Sequence, residues 1–239
     1  MSEVNEHPEY NRDTNPYPSF GKKYNSERAI ISLTSWKARI NTVSKTLFSL
    51  LKQCPGFHIV LVLSEEEFPK MMDELPENLK LFIDNELIEI LWVYKNYKSF
   101  KKVLFTMDKY RDVPVISADD DCIYTCNYAQ ELYDKWKETT HPVITYNKTE
   151  QNIKYYTEGP CTFFDSKQLE NFKKLSFSKF SSISNTEDDS LYGKVLECMK
   201  LEPKYVKSDP WYKPFKFHTI ENAIHGFYFC NKHWRNLVL

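Results

Sequence analysis

Between residues 29 and 146, short apolar runs of strand length alternate with stripes of helical period, and few folds accommodate that order. The run at 29–35 (AIISLTS) is compact and ends in hydroxyl residues, as a buried first strand would. Val43, Leu47, Leu50 and Leu51 then recur at i, i+4, i+7 and i+8, the stripe of an amphipathic helix, which Pro55-Gly56 stops. A second strand is expected at 58–63 (HIVLVL), then an acidic segment with short helical potential, then a third strand at 87–93. Phe100, Val103, Leu104 and Met107 mark the next helix, with Ser99 as its N-cap. The fourth strand, 113–118 (VPVISA), runs into Asp119, Asp120 and Asp121. Asn127 and Gln130 resemble a capping box for a helix striped by Ala129, Leu132, Tyr133 and Trp136, and 142–146 is a fifth strand. Strand and helix in alternation imply βαβ units: an α/β, Rossmann-like fold with a mainly parallel central sheet and helices on both faces. In such sheets ligands bind beyond the carboxyl ends of the strands. Residues 32–39 and the aspartate triplet both stand at such ends.

The flanks are less regular. Residues 1–28 are polar and rich in Asn, Glu, Pro and Tyr, and read as a loosely ordered lead-in without the apolar core of a secretion signal. After residue 147 the pattern loosens. A strand or two is expected within 155–164, weak helix at 167–175, a serine-rich loop at 176–184, and a clearer helix at 187–199 carrying Leu191, Val195 and Met199. From 203 the chain is aromatic and irregular. No apolar stretch is long enough to span a bilayer, so the expectation is a cytoplasmic protein, with contact at a membrane surface left open. The 32 basic and 33 acidic residues nearly cancel, which argues against a general nucleic-acid binder. The six cysteines show neither paired CxxC spacing nor a disulfide-dense pattern. Cys122 and Cys126 would need two further ligands to hold zinc. With 16 Tyr, 16 Phe and 5 Trp, aromatic rings mostly fill the core, although their faces also suit the C–H faces of sugars.

Three consecutive aspartates after a buried strand repel one another in a partly desolvated place. A divalent cation resolves that repulsion, and hard carboxylate oxygens select Mn²⁺ or Mg²⁺. An acidic turn capping the following helix uses the same residues with no metal at all. On the triplet alone both readings stay open. A haloacid-dehalogenase-type phosphatase also puts Asp-x-Asp after a strand. It wants Thr or Val where this chain has Ile123, and normally places that strand first rather than fourth.

Three blocks, 31–40 (ISLTSWKARI), 97–102 (YKSFKK) and 116–124 (ISADDDCIY), each at a strand end or helix start, occur in the order seen in bacterial GT-A glycosyltransferases. The sequence resembles that family, which builds capsule, lipopolysaccharide and related surface glycans, over roughly residues 29–200. The family often has Tyr and Pro where this chain has Trp36 and Lys37. The resemblance implies a GT-A fold, with 29–146 as its nucleotide-sugar-binding part and 147–239 as an irregular C-terminal acceptor-binding and catalytic part of the same domain. It implies transfer of a hexosyl group from a nucleotide sugar, a UDP-sugar by preference, to a hydroxyl of a glycan or glycolipid, with Mn²⁺ or Mg²⁺ as cofactor. By the same resemblance Ser32 and Thr34 hold base and ribose, and Arg39 lies near the phosphates. Asp119 faces the ribose and joins Asp121 at the metal, with Asp120 assisting. Gly159, in Glu158-Gly159-Pro160-Cys161, lets backbone approach the donor sugar. His225 is the candidate for a late metal ligand, ahead of His218 and His233.

Lys101 and Lys102 open a helix, where an anionic diphosphate is favoured, and only one of them can face the site. An inverting transfer also needs a carboxylate base for the acceptor hydroxyl. The family offers one as the second of an acidic pair with Leu three residues on. Asp188 fits, since Leu191 stands there, and Asp189 is second choice. A cap at a helix N-terminus explains these acids equally well. Two other functions compete: a nucleotidyltransferase acting on sugar phosphates, which would want a Gly-rich loop where 33–40 has no Gly, and a non-catalytic nucleotide- or glycan-binding domain.

Overall fold

The computed structural model describes residues 17–146, 162–167, 196, 200–206 and 211–212. Ten strands and four helices follow in chain order: β1 Ser19–Gly21, β2 Ala29–Thr34, α1 Val43–Leu50, β3 Phe57–Ser64, α2 Glu77–Asp84, β4 Glu89–Val93, α3 Lys101–Lys109, β5 Val115–Ser117, β6 Ile123–Tyr124, α4 Tyr128–Thr139, β7 Val143–Tyr146, β8 Thr162–Phe164, β9 Lys204–Val206 and β10 Trp211–Tyr212. Eight strands form one sheet in the order β1-β4-β3-β2-β5-β8-β7-β9. The four at its heart, β4, β3, β2 and β5, are parallel, with Ile31 opposite Ile59 and Ile116. β8 runs antiparallel between β5 and β7, and β7 is parallel to β9.

The central strands are apolar on both faces because both are covered. Ile31, Leu33, Ile59, Leu61, Ile90 and Trp92 pack with Val43, Leu47 and Leu50 of α1, with Leu79 and Ile83 of α2, and with Tyr128, Ala129 and Leu132 of α4. Their neighbours in sequence, Ile30, Val60, Val62, Leu91 and Val93, face the other way onto Phe105 of α3 and Tyr17. The expected parallel sheet with helices on both faces is therefore present, and all five predicted strands exist with ends moved by a residue or two. Among the described residues no helix is long and apolar enough to cross a membrane.

The structure differs from the expectations in four places. The lead-in is not loose from residue 17 on: β1 pairs antiparallel with β4, and Tyr17 packs edge-on against Phe105 while donating to Asp108 Oδ2 at 2.7 Å. Gly21 makes that turn with φ +86, where a Cβ would run into the Ile88 carbonyl. Ser99 does not cap α3, because a 3₁₀ turn, Lys98–Phe100, winds straight into it. The capping box at α4 does not form: Asn127 occupies the N-cap without a side-chain bond to the helix amides, and Gln130 reaches forward to Asp134 instead. The tail from 203 is not wholly irregular either, since β9 extends the sheet beside β7 and β10 pairs with β6. The helix expected at 187–199 lies almost wholly outside the described residues, as do 168–184.

At the amino end of the parallel strands a polar cluster fastens the far end of α3. Glu89 of β4 lies 2.7 Å from His58 Nε2 and accepts Lys109 Nζ and the Tyr110 hydroxyl, each at 2.5 Å. Burial pushes the Glu89 carboxyl upward, but His58, Lys109 and Tyr110 outweigh it and hold the pKa down at about 2. A carboxyl depressed from 4.5 stabilises the fold fully above that value and loses its contribution as pH falls towards 2. Urea unfolding of the wild type is expected to lose on the order of 3 kcal/mol through this window. Glu89→Gln should flatten that slope, and an unchanged slope would detach acid sensitivity from this cluster.

Candidate functional site at the carboxyl end of the sheet

β5 ends at Ser117, and the Ala118 amide makes one more bond to β2, donating to Ser32 O at 2.8 Å, before the chain leaves the sheet as Asp119-Asp120-Asp121. Neighbouring elements hold this exit in place. The Asp119 amide donates to the Tyr124 hydroxyl at 2.8 Å. The Thr46 hydroxyl of α1 lies 2.9 Å from the Asp120 carbonyl and 2.8 Å from that of Cys122. Tyr128 donates to Ser117 O at 2.5 Å, and its ring lies 4.4 Å from that of Tyr124.

Cations from the loop after β2 and from the first turn of α3 meet the carboxylates. Arg39 NH1 lies 3.0 Å from Asp120 Oδ1 and 2.9 Å from Asp121 Oδ2, and Lys102 Nζ lies 2.8 Å from Asp119 Oδ1. Ser35 adds a hydrogen bond of 2.6 Å to Asp120 Oδ2. Asp120 and Asp121 are buried, while the Asp119 side chain keeps 23% exposure. Burial raises the Asp120 carboxyl to about 6, against the opposing pull of Arg39 and Ser35, and the charges of Asp119 and Asp121 add to the rise. The rise is mainly the cost of burying the carboxylate, to which its two acidic neighbours add.

One oxygen each from Asp119 and Asp121 and the Cys122 sulfur lie within 4.8 Å of one another. The two carboxylates are hard donors that fit Mn²⁺ or Mg²⁺, whereas the thiol is a soft one packed in the apolar core. The converging oxygens fit a divalent cation held by Asp119 and Asp121.

Of the residues singled out in the sequence, Arg39, Lys102, Asp119, Asp120 and Asp121 come together here. Thr34 ends β2 close by, half-buried, with its hydroxyl donated to Val62 O at 2.7 Å. Ser32 does not reach the site. It is fully buried beneath it, bonded to Lys102 O at 2.5 Å and Thr106 Oγ1 at 2.8 Å, where it fastens α3 to β2. Lys101 also turns elsewhere, to Asn96 Oδ1 and Lys98 O, so Lys102 is the lysine that meets the triplet. Gly159, Asp188, Asp189 and His225 lie outside the described residues. Sequence reasoning missed Ser35, Thr46 and Tyr124. A hydroxyl at the end of a strand and a tyrosine after an acidic triplet carry no signal until the fold brings them together.

Arg39 compensates two buried carboxylates, so Arg39→Ala should cost roughly 3–5 kcal/mol when melted in EDTA. Mn²⁺ should restore more stability to that variant than it adds to the wild type, because it replaces the missing charge. Equal metal responses would mean that a cation does not take over the charge of Arg39, and no response in either would mean that none binds these carboxylates.

No family model matches the sequence, and no curated protein matches it. Solved structures do match in fold. Residues 1–349 of S. aureus TarS, crystallised with UDP, superpose with a TM-score of 0.57 at 11% identity, over 89% of this chain and 67% of that one. The mannosyltransferase PcManGT of Pyrobaculum calidifontis, in complex with GDP-Man and Mn²⁺, gives 0.56 at 12% identity over 82% and 59%. Against the longer S. aureus TarS structure the TM-score is 0.55 at 12% identity over 88% of this chain, which spans only 40% of that protein's length. The likeness lies in the fold: this chain is built on the Rossmann-like architecture of the TarS and PcManGT structures.

Proposed function

We propose that the protein is a metal-dependent glycosyltransferase that moves a hexosyl group from a nucleotide sugar to a hydroxyl of a glycan or glycolipid, with inversion. The observation that carries this reading is the triplet at the end of β5. Asp119 and Asp121 converge there beside Lys102 and Arg39, in a fold shared with proteins solved holding UDP or GDP-Man. The UDP-sugar preference follows the family resemblance and the UDP complex of TarS. Thr34 would line the nucleoside pocket, and Arg39 and Lys102 would bring positive charge to the diphosphate. Asp119 and Asp121 would hold Mn²⁺ or Mg²⁺, with His225 as the late ligand, and a bound cation supplies charge to the departing nucleoside diphosphate.

In the reaction the acceptor oxygen bonds to the anomeric carbon while the bond from that carbon to the diphosphate oxygen breaks. The hydroxyl proton passes to a carboxylate, for which Asp188 is the proposed base and Asp189 the second choice. Gly159 would let backbone approach the donor sugar.

Calorimetry of UDP with Mn²⁺ and with EDTA tests the donor side. Binding should be much tighter with metal, and Asp121→Ala should remove the difference; an unchanged metal dependence would leave the triplet without a part in metal binding. Asp188→Asn should lower turnover by roughly 10²–10⁴-fold with UDP binding and melting temperature nearly unchanged. Near-wild-type turnover retires the base assignment, and a product that retains the donor's configuration removes the need for one.

A further inference from the structure

The loops leaving β2, β3 and β4 at the site end of the sheet are joined through one side chain. Glu67, in the turn after β3, accepts the Lys37 amide at Oε1, 3.2 Å away, and Asn96 Nδ2 at Oε2, also at 3.2 Å. The same Oε2 lies 4.0 Å from Lys101 Nζ. Lys101 in turn donates to Asn96 Oδ1 and Lys98 O, each at 3.1 Å, and is 1% exposed. Glu66 completes the knot by accepting the Asn96 amide at 2.8 Å. A buried ammonium at the first position of α3 and a carboxylate with 14% of its side chain exposed thus sit where three strand-end loops meet.

The β2 loop leads from this knot to the triplet. Lys37 opens a tight turn in which the Arg39 and Ile40 amides both donate to Trp36 O at 2.9 Å. Arg39, two residues beyond the bond to Glu67, bridges Asp120 and Asp121. Displacing the head of such a turn displaces its far end, and a guanidinium that must meet two carboxylates within hydrogen-bond distance tolerates little displacement.

We propose that Glu67 is a positioning residue that ties the β2, β3 and β4 loops around buried Lys101 and thereby fixes where Arg39 stands over Asp120 and Asp121. The link to Arg39 is structural. Only its consequence for nucleotide binding rests on the glycosyltransferase reading.

Lys101 supplies a readout that a packing role would not move. Burial lowers its amine to about 8; Glu67 and Asp120 oppose that fall, and Lys98 and Lys102 deepen it. The native state therefore disfavours the ammonium relative to the unfolded chain, and Glu67 relieves part of that penalty only while Lys101 is charged. Removing the Glu67 charge should cost stability at pH 7 and much less at pH 10, where Lys101 is largely neutral in the folded chain.

Three measurements on the full chain test this. Glu67→Ala should speed amide hydrogen exchange at 36–40 and 94–98 while leaving β3 and β4 as protected as before. Unchanged exchange at 36–40 overturns the proposal. Glu67→Gln keeps one acceptor oxygen, enough for the Lys37 amide or for Asn96 but not both, and removes the charge. Its drop in melting temperature, measured against the wild type at each pH, should be larger at pH 7 than at pH 10, and that difference should vanish in a Lys101→Met background. An equal drop at both pH values, or a pH difference that persists without Lys101, removes Lys101 from the role. In calorimetry with UDP and Mn²⁺, Glu67→Ala should bind roughly tenfold or more weakly than the wild type, with Glu67→Gln intermediate. A wild type that binds UDP while Glu67→Ala binds it equally overturns the proposal. A wild type that binds no UDP overturns the glycosyltransferase reading instead, and the exchange and melting results still decide the role of Glu67.

Discussion

Three carboxylates on consecutive residues repel one another, and the parallel sheet is what makes them tolerable. Because β2 and β5 are parallel neighbours, the chain leaves both at the same end, which brings Ser35 and Arg39 from the first within reach of Asp120 and Asp121 from the second. α3 passes over the opposite face of the sheet from α1 and brings Lys102 to Asp119. None of these partners is near the triplet in sequence. The topology supplies the countercharge, and a slip of one residue between β2 and β5 would turn Ser32 from α3 into the opposite core.

α3 is held at both ends by charge. At its carboxyl end Lys109 and Tyr110 converge on Glu89, and at its amino end Lys102 meets Asp119. Between them Ser32 bonds to the Lys102 carbonyl and the Thr106 hydroxyl, a polar seam inside an otherwise apolar face. A buried hydroxyl without a partner would be costly, so this seam also sets how the helix sits along β2. The position of the Lys102 ammonium is thus fixed from beneath by the core as well as by its carboxylate.

The strands of the parallel core were legible because burial on both faces demands continuous apolar runs, and 58–63 and 87–93 are such runs. Ser19-Phe20-Gly21 has no such pattern. It becomes a strand because β4 offers a free edge and Tyr17 finds Phe105 and Asp108, all of which is tertiary. The failed caps have a related cause. Ser99 and Asn127 are good cap residues by type, but a 3₁₀ turn takes the first into the helix entry, and the second sits at its N-cap with backbone angles in the helical region, φ −99 and ψ −5. At the site, residue types showed Asp119–Asp121, Arg39 and a lysine, yet not which lysine. Adjacent helical positions point about 100° apart, and only the packed helix shows that Lys102 points to the triplet and Lys101 to Glu67.

Within the triplet the three acids have different partners, and these divide their roles. Asp120 points to Ser35 and Arg39, so it belongs to the frame. Asp119 and Asp121 bring oxygens within 4.8 Å of each other, so the first and third acids form the converging pair. Asp121 is not free to act alone, since its Oδ2 lies 2.9 Å from Arg39. A cation arriving between Asp119 and Asp121 would therefore weaken the hold of Arg39 on Asp121 and leave its bond to Asp120 as the stronger one. Arg39 and a cation held by Asp119 and Asp121 would bring charge to the same carboxylate, so each would lessen the need for the other.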